Sequence, residues 1–218
     1  MAESMGMNTD VFTPDHLIAG TADQIVTESV TLLSGENRSR GTLLGKVTKS
    51  CPATGAAGTN TGGGTCTGVT MGKSAKIGTY ALTCIAKVEG AGSFQVIAPD
   101  GARLKDATVG VAYMSDHLNF TLNDGAPDFE VGDSFTIAVA AGSGKYKMSL
   151  AAAVDGSQDP AAILAGDTNA TDEDRTTVAY KAGQFSEKAV TFGTGHTAAS
   201  VKDVLADKGI HIKTTIAG

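Results

Sequence analysis

The chain has 218 residues, enough for one large or two small domains, with 41% hydrophobic residues, 28 glycines, no tryptophan and a formal net charge of −6. That balance argues against a general nucleic-acid binder, which neutralises phosphates with clustered Lys and Arg, and it favours short strands and turns over long helices. No uncharged apolar run is long enough to span a bilayer, and "MAESMGMNTD" lacks the basic start and apolar stretch of a secretion signal, so the sequence predicts a cytosolic product.

Residues 1–29 hold no sustained period. Phe12, Leu17 and Ile18 stand around Pro14 with no local partner. Pro14 fixes its own φ and pushes Thr13 toward extended geometry, so the segment reads as an arm that seeks a partner or lies loosely. From 26 to 50 the chain changes character: Val30 and Leu32 alternate with threonines, "SGENRSRG" turns, and "TLLGKVT" returns as a second strand. Residues 52–68, "PATGAAGTNTGGGTCTG", carry too little apolar surface to offset the entropy of ordering, which predicts a flexible loop. Alternation then resumes in "TYALTCIA", where Tyr80, Leu82, Cys84 and Ala86 share a face. It continues in "GSFQVIAPDGARL", a strand, a Pro-Asp-Gly turn and a short return. Leu118, Phe120 and Leu122 alternate next, then Phe135, Ile137 and Val139. Strands joined by such turns predict a small β-sandwich over 79–140.

Beyond it, "PAAILAGD" fits a short strand or one helical turn, and "TTVAYKAGQFSEKAVTF" fits a hairpin through Ala182-Gly183. One helix is expected in "HTAASVKDVLADKGI". Thr197 caps it, Val201, Val204 and Leu205 share a face, and Gly209 suits its C′ position. "IHIKTTI" closes as a strand with Ile210, Ile212 and Ile216 on one side. Val47, Ile163, Val201, Leu205 and Ile212 are the expected shared core of the outer segments.

No catalytic constellation assembles from these residues. "AAGSGKYKM" (140–148) fails as a phosphate loop, because Val139 stands where the first glycine belongs and Tyr146 where a hydroxyl must reach Mg²⁺. His16, His117, His196 and His211 are scattered. An EF-hand counted from Asp167 would need glycine and glutamate where Asp172 and Val178 stand, so "DTNATDEDRTT" reads as a solvated acidic loop. Cys51, Cys66 and Cys84 lack zinc spacing. A Cys51–Cys66 disulfide is conceivable, but a reducing compartment favours three thiols. The expectation is therefore no enzyme, no catalytic residues, no cofactor and no metal.

"FTPDHLIAG", "VTESVTLLSGENRSRGTLLGKVTKS", "GKYKMSLAAAVDGSQDPAAILAGDTNAT" and "VLADKGIHIK" resemble the lambda D-like head decoration proteins of tailed bacteriophages. The most specific match is Asp155, Gly156, Ser157 and Gln158 followed by Ala161, Ala162, Ile163 and Leu164. In ordinary members the L-G-K-[IV]-T strand runs almost directly into G-K-Y. Here Leu44–Thr48 and Gly144-Lys145-Tyr146 are separated by residues 51–143. The resemblance implies a mainly β fold: a β-clip-like decoration core with one short helix, interrupted by an inserted small β-sandwich (Ig-like) domain. Its parts would be an extended arm (1–29), a discontinuous core (30–50 and 144–218), a Gly/Thr-rich loop (51–78) and the inserted domain (79–143). Gly142, Ser143 and Gly144 would form the exit hinge, since loop tips tolerate insertion. The implied role is that of a cement protein on the outer surface of the virion capsid, made in the host cytoplasm. It would bind the expanded head as a homotrimer and stabilise the major capsid protein lattice, with Phe12, Pro14, Leu17 and Ile18 as the capsid-binding arm. No direct nucleic-acid or membrane partner is implied. The alternative is a glycan- or host-surface-binding accessory protein acting through the insert.

Overall fold

The computed structural model describes residues 16–21 and 24–214. The chain is mainly β, with one α-helix among the described residues. Strands β1 (Val26–Leu32), β2 (Glu36–Arg38) and β3 (Leu43–Lys46) come first. β4 (Lys49–Ser50), β5 (Ala56–Ala57), β6 (Thr65–Met71), β7 (Gly78–Val88), β8 (Ala91–Ile97), β9 (Ala107–Thr108), β10 (Ala112–Met114), β11 (Leu118–Asn123) and β12 (Ser134–Ala141) fill the middle. β13 (Tyr146–Met148), β14 (Pro160–Leu164), β15 (Thr168–Ala170), β16 (Arg175–Ser186), helix α1 (Ala198–Ala206) and β17 (Ile210–Lys213) complete it.

The outer segments build one sheet in the order β1-β13-β3-β14-β16-β17, and an additional β1–β16 pairing closes the first five strands into a ring. The pleat explains why "LL" and "AAIL" are apolar throughout. Successive side chains point to opposite faces, and here both faces are covered. Leu44, Ala162 and Leu164 enter one buried cluster with Val30, Leu32 and Tyr146. Their neighbours Leu43 and Ile163 enter another, with Phe185, Val201, Leu205 and Ile212. The second cluster holds α1 against the sheet. Thr197 and Ser200 cap the helix reciprocally, and Val201 and Leu205 are buried. Val204 is 40% exposed and does not join them. Val47 is buried, though outside both clusters.

Two further differences have clear causes. In place of the hairpin expected over residues 176–192 through Ala182-Gly183, Arg175–Ser186 form one strand of 12 residues. Gly183 sits at φ +140 as an irregular position in it rather than a reversal, because β1 pairs with its first half and β17 with its second. Residues 52–68, expected as a flexible loop, contain β5 and the start of β6, and β6 pairs with β11 from Thr65 to Met71.

The middle segment carries a third buried cluster, made wholly of residues between Cys66 and Val139. Tyr80, Leu82, Phe94, Phe135 and Ile137 face it from the β12-β7-β8 sheet, while Cys66, Val69, Leu118, Phe120 and Leu122 face it from the β10-β11-β6 sheet. Phe94, Phe129 and Phe135 meet with ring centroids 5.0–6.1 Å apart, near the separations aromatic pairs prefer. Ala86, expected on this inner face, is exposed, since the register shifts between Cys84 and Ala86.

Candidate functional site

The arm residues divide. Phe12 and Pro14 lie outside the described residues. Leu17 is buried at 3% exposure in the cluster of Leu43, Phe185 and Val201, so its side chain is engaged by the chain's own core. Ile18 is bridged to Phe185 and packs against the same cluster. Backbone bonds from Ala19 N to Gln184 O (2.9 Å) and from Ser186 N to Leu17 O (2.8 Å) lay this segment antiparallel on β16. Burying a Leu side chain is worth about 1.5–3 kcal/mol, which makes Leu17 the tether of this segment on β16.

The junction residues stand in a ladder. Gly142 N donates to Thr48 O (2.8 Å) and Gly144 N to Val47 O (2.9 Å). These bonds continue the β3–β13 pairing into the β4–β12 pairing, where Ser50 faces Ala140. Gly142, Ser143 and Gly144 therefore occupy one strand of a two-stranded ribbon between the two sheets. A Cβ on Gly142 would stand 2.6 Å from both Lys49 N and Val47 O, and Gly144 has φ +73. Lys49 adds a strut, donating from Nζ to Ala75 O at 3.1 Å. Lys145 pairs with Asp174.

The D-G-S-Q turn grips the base of this ribbon. Asp155 O accepts from Thr48 N (2.8 Å) and Lys49 N (2.9 Å). The Asp155 carboxylate accepts from Ser157 N (3.1 Å) and Ser157 Oγ (2.6 Å) and pairs with Lys147 at 2.6 Å. Burial would raise its pKa, but Lys147 and the Ser157 donors together hold it below the usual carboxylate range. Gln158 Oε1 accepts from Gly156 N at 2.9 Å. Ser149 Oγ donates to Ser157 O (2.8 Å) and meets His196 Nε2 at 3.1 Å. Ser149 is fully buried and its proton is spent on a carbonyl, so the pair braces the turn and offers no nucleophile.

The other candidate chemical groups are engaged in the same manner. In the acidic loop Asp167 accepts from Arg40 N (2.7 Å), Asp174 from Ser34 N (2.9 Å), and Asn169 from Thr171 N (3.0 Å). His117 Nδ1 meets Tyr80 OH at 3.0 Å, and His211 is exposed. Among the described residues no group of three or more His, Cys, Asp and Glu could hold a metal. All three cysteines are free in this structure; the Cys51 thiol meets the backbone of Met71 and the Cys66 thiol that of Gly55. Burial pushes the Cys66 thiol up to about 11. One important residue had no sequence signal: Asp133. Only 4% exposed, it accepts from Thr61 N (2.8 Å), Gly62 N (2.9 Å) and Glu130 N (2.9 Å), and it orders the glycine-rich run.

The fold and these braces define a mainly β protein whose N-terminal segment is tethered to β16. The model of the bacteriophage lambda head decoration protein D family matches residues 7–211. The chain belongs to that family, whose members are structural proteins of the phage head. No curated protein matches the chain. Among solved structures, two crystal forms of Xanthomonas campestris FlgL are similar at 19% identity, with TM-scores of 0.31 and 0.29. The match covers 50% and 52% of this chain and 33% and 32% of those, so the chain spans about a third of their length; likeness of this degree carries no argument. No described helix is long and apolar enough to cross a membrane.

Proposed function

We propose that the protein is a cement protein that binds the outside of the expanded phage head and stabilises the lattice of the major capsid protein. The observation that carries this reading is the family match, which runs through the N-terminal residues from 7 onward and through both outer segments. The geometry adds a mechanism. Leu17 and Ile18 anchor one end of the arm on β16, and the residues before them, Phe12 and Pro14 included, are the part offered to the capsid. An extended segment adds to the edge of a partner's sheet through main-chain hydrogen bonds, while its apolar side chains fill pockets. A homotrimer would present three such arms and gain avidity from them. The test is sedimentation with expanded heads. The full chain should pellet with them, and a chain lacking residues 1–15 should fold yet stay in the supernatant. Equal pelleting of the two would remove the arm from the mechanism, and failure of the full chain to pellet would remove the cement reading.

A second reading gives the middle segment its own role in contacting a host surface or glycan. It is favoured by the end of that segment farthest from the ribbon. There Val88 at the end of β7 and Val111 and Val131 on loops are 57–65% exposed, with the Lys87–Glu130 ion pair tying one loop to β7 and the Gly110 N to Leu122 O bond tying the other to β11. Binding of residues 51–143 to a glycan array would support it; cells and arrays left bare would end it.

A further inference from the structure

Both ends of the described chain pass the same residue. On one side of β16 the N-terminal segment runs antiparallel, with Leu17 O accepting from Ser186 N; on the other, β17 runs parallel with Lys213 opposite Ser186. Immediately past Ser186 the chain forms a single 3₁₀ turn, Glu187–Ala189, and there a groove opens. It has about 500 Å³ of space between Glu187, Lys188, Phe192, His196, Ala198 and Thr214. A second lobe of about 210 Å³ continues along Lys202 and Ile212. Its floor is apolar: Phe192 and Ala198 are half-buried and pack on the cluster that contains Ile212. Its rim carries the exposed ammonium groups of Lys188 and Lys202. Thr214 Oγ1 donates to Glu187 Oε2 at 2.9 Å and fixes one wall.

We propose that this groove is the seat of the chain's own N-terminal residues, with Phe12 on its floor. Three observations carry the assignment. His16 is the first described residue and lies beside Leu17, whose backbone is bonded to Ser186 at the head of the groove. Phe12 is four positions earlier, within about 13 Å of extended chain at roughly 3.3 Å per residue. Phe12 is also the sole aromatic residue among 1–15, and it matches a floor built around Phe192. Charge fits as well. Residues 1–15 contain Glu3, Asp10 and Asp15 and no Lys or Arg, opposite two lysines and a single acid, Glu187, which accepts from Thr214 and leaves the groove net positive. Residues 215–218 begin at the same groove but offer one large apolar side chain, Ile216, no aromatic ring to match Phe192, and no acidic side chain to meet the lysines. The seat holds the arm in reserve on the unbound protein, and it stands whether or not a capsid later takes the arm.

The test is methyl and aromatic NMR on the full chain. Relative to it, a chain lacking residues 1–15 and the single variant Phe12→Ala should both shift the signals of Ala198, Ile212 and Phe192. Signals of the middle segment should stay in place, which shows that both proteins are folded. A peptide of residues 5–16 added to the truncated chain should restore the shifted signals, saturating on the order of a millimolar or above, since tethering normally supplies that effective concentration. Ala198→Arg in the truncated chain should block the restoration. Groove signals identical in the full and truncated chains would overturn the proposal. So would signals that respond to removal of 215–218 alone, which gives the seat to the C-terminus, or signals that vary with protein concentration, which gives it to the arm of a second copy.

Discussion

Asp133 and Asp155 are acids used as internal clamps, and each has a distinct signature. Asp133→Ala leaves the amides of Thr61, Gly62 and Glu130 without their acceptor at a site that is 4% exposed. A buried donor left unpaired costs about 1–3 kcal/mol, and water entering the opened loop recovers part of it, so urea unfolding should show a loss of about 2–3 kcal/mol. Asp155 gives a pH effect. Its folded pKa is depressed, so the stability it contributes is fully present above the ordinary carboxylate range near 4 and is lost as pH falls through the folded value. Asp155→Asn should therefore be less stable than the parent at pH 7. The gap in melting temperature should narrow from about pH 4 downward; a gap constant from pH 7 to 3 would show that the charge does nothing. The two acids also mark what a sequence can disclose. Asp155 is visible because it sits in a local motif with its partners Ser157 and Lys147 close by. Asp133 is invisible because the loop it orders lies about 72 positions away, and composition at 58–64 cannot register a distant acceptor.

At the scale of elements, alternating strands were legible, and so was α1 with its Thr197 cap, because period and capping are local properties, whereas "PAAIL", apolar throughout, fitted a strand or a helical turn until β3 and β16 were seen to flank it. The continuity of β16 was not legible either, since a Gly following Ala looks like a turn until β1 and β17 are seen to claim its two halves. The ribbon was misleading in the same way. Glycines at 142 and 144 suggest a hinge, whereas their amides are bonded to Thr48 O and Val47 O, and close backbone approach is what demands glycine at 142. This distinction can be measured. Gly142→Ala places a methyl 2.6 Å from two backbone atoms of the facing strand, which cannot rotate away as a side chain would. The expected cost is about 1–3 kcal/mol, the usual range for overpacking. Hydrogen exchange should quicken at Lys49, Gly142 and Gly144 together. A change under about 0.5 kcal/mol with unaltered exchange would restore the hinge.

For the whole molecule, the question is whether two cores share one chain or depend on each other. The buried residues separate cleanly by sequence. One cluster draws only on positions from Cys66 to Val139, and the other two only on Leu17 to Leu44 and Tyr146 to Ile212. The links between them are the ribbon itself and contacts such as Lys49 Nζ to Ala75 O, a part-buried hydrogen bond from a charged donor worth about 1.5–3 kcal/mol. Joining Ser50 directly to Gly144 would keep the bond between Val47 and Gly144 and leave Thr48, Lys49 and Ser50 as the loop of a hairpin. Three-residue hairpin loops are common, and Gly144 at φ +73 already has the left-handed conformation such a loop needs at its exit. Asp155 O would still receive Thr48 N and Lys49 N, so the D-G-S-Q turn would brace the new loop as it now braces the ribbon. The shortened protein should therefore unfold cooperatively in urea, with a smaller m-value in proportion to the surface removed, and keep the dispersed NMR signals of Leu43, Ile163 and Leu205. Collapse of those signals would mean that the ring of strands needs the middle segment to close, and the two cores would have to be treated as one.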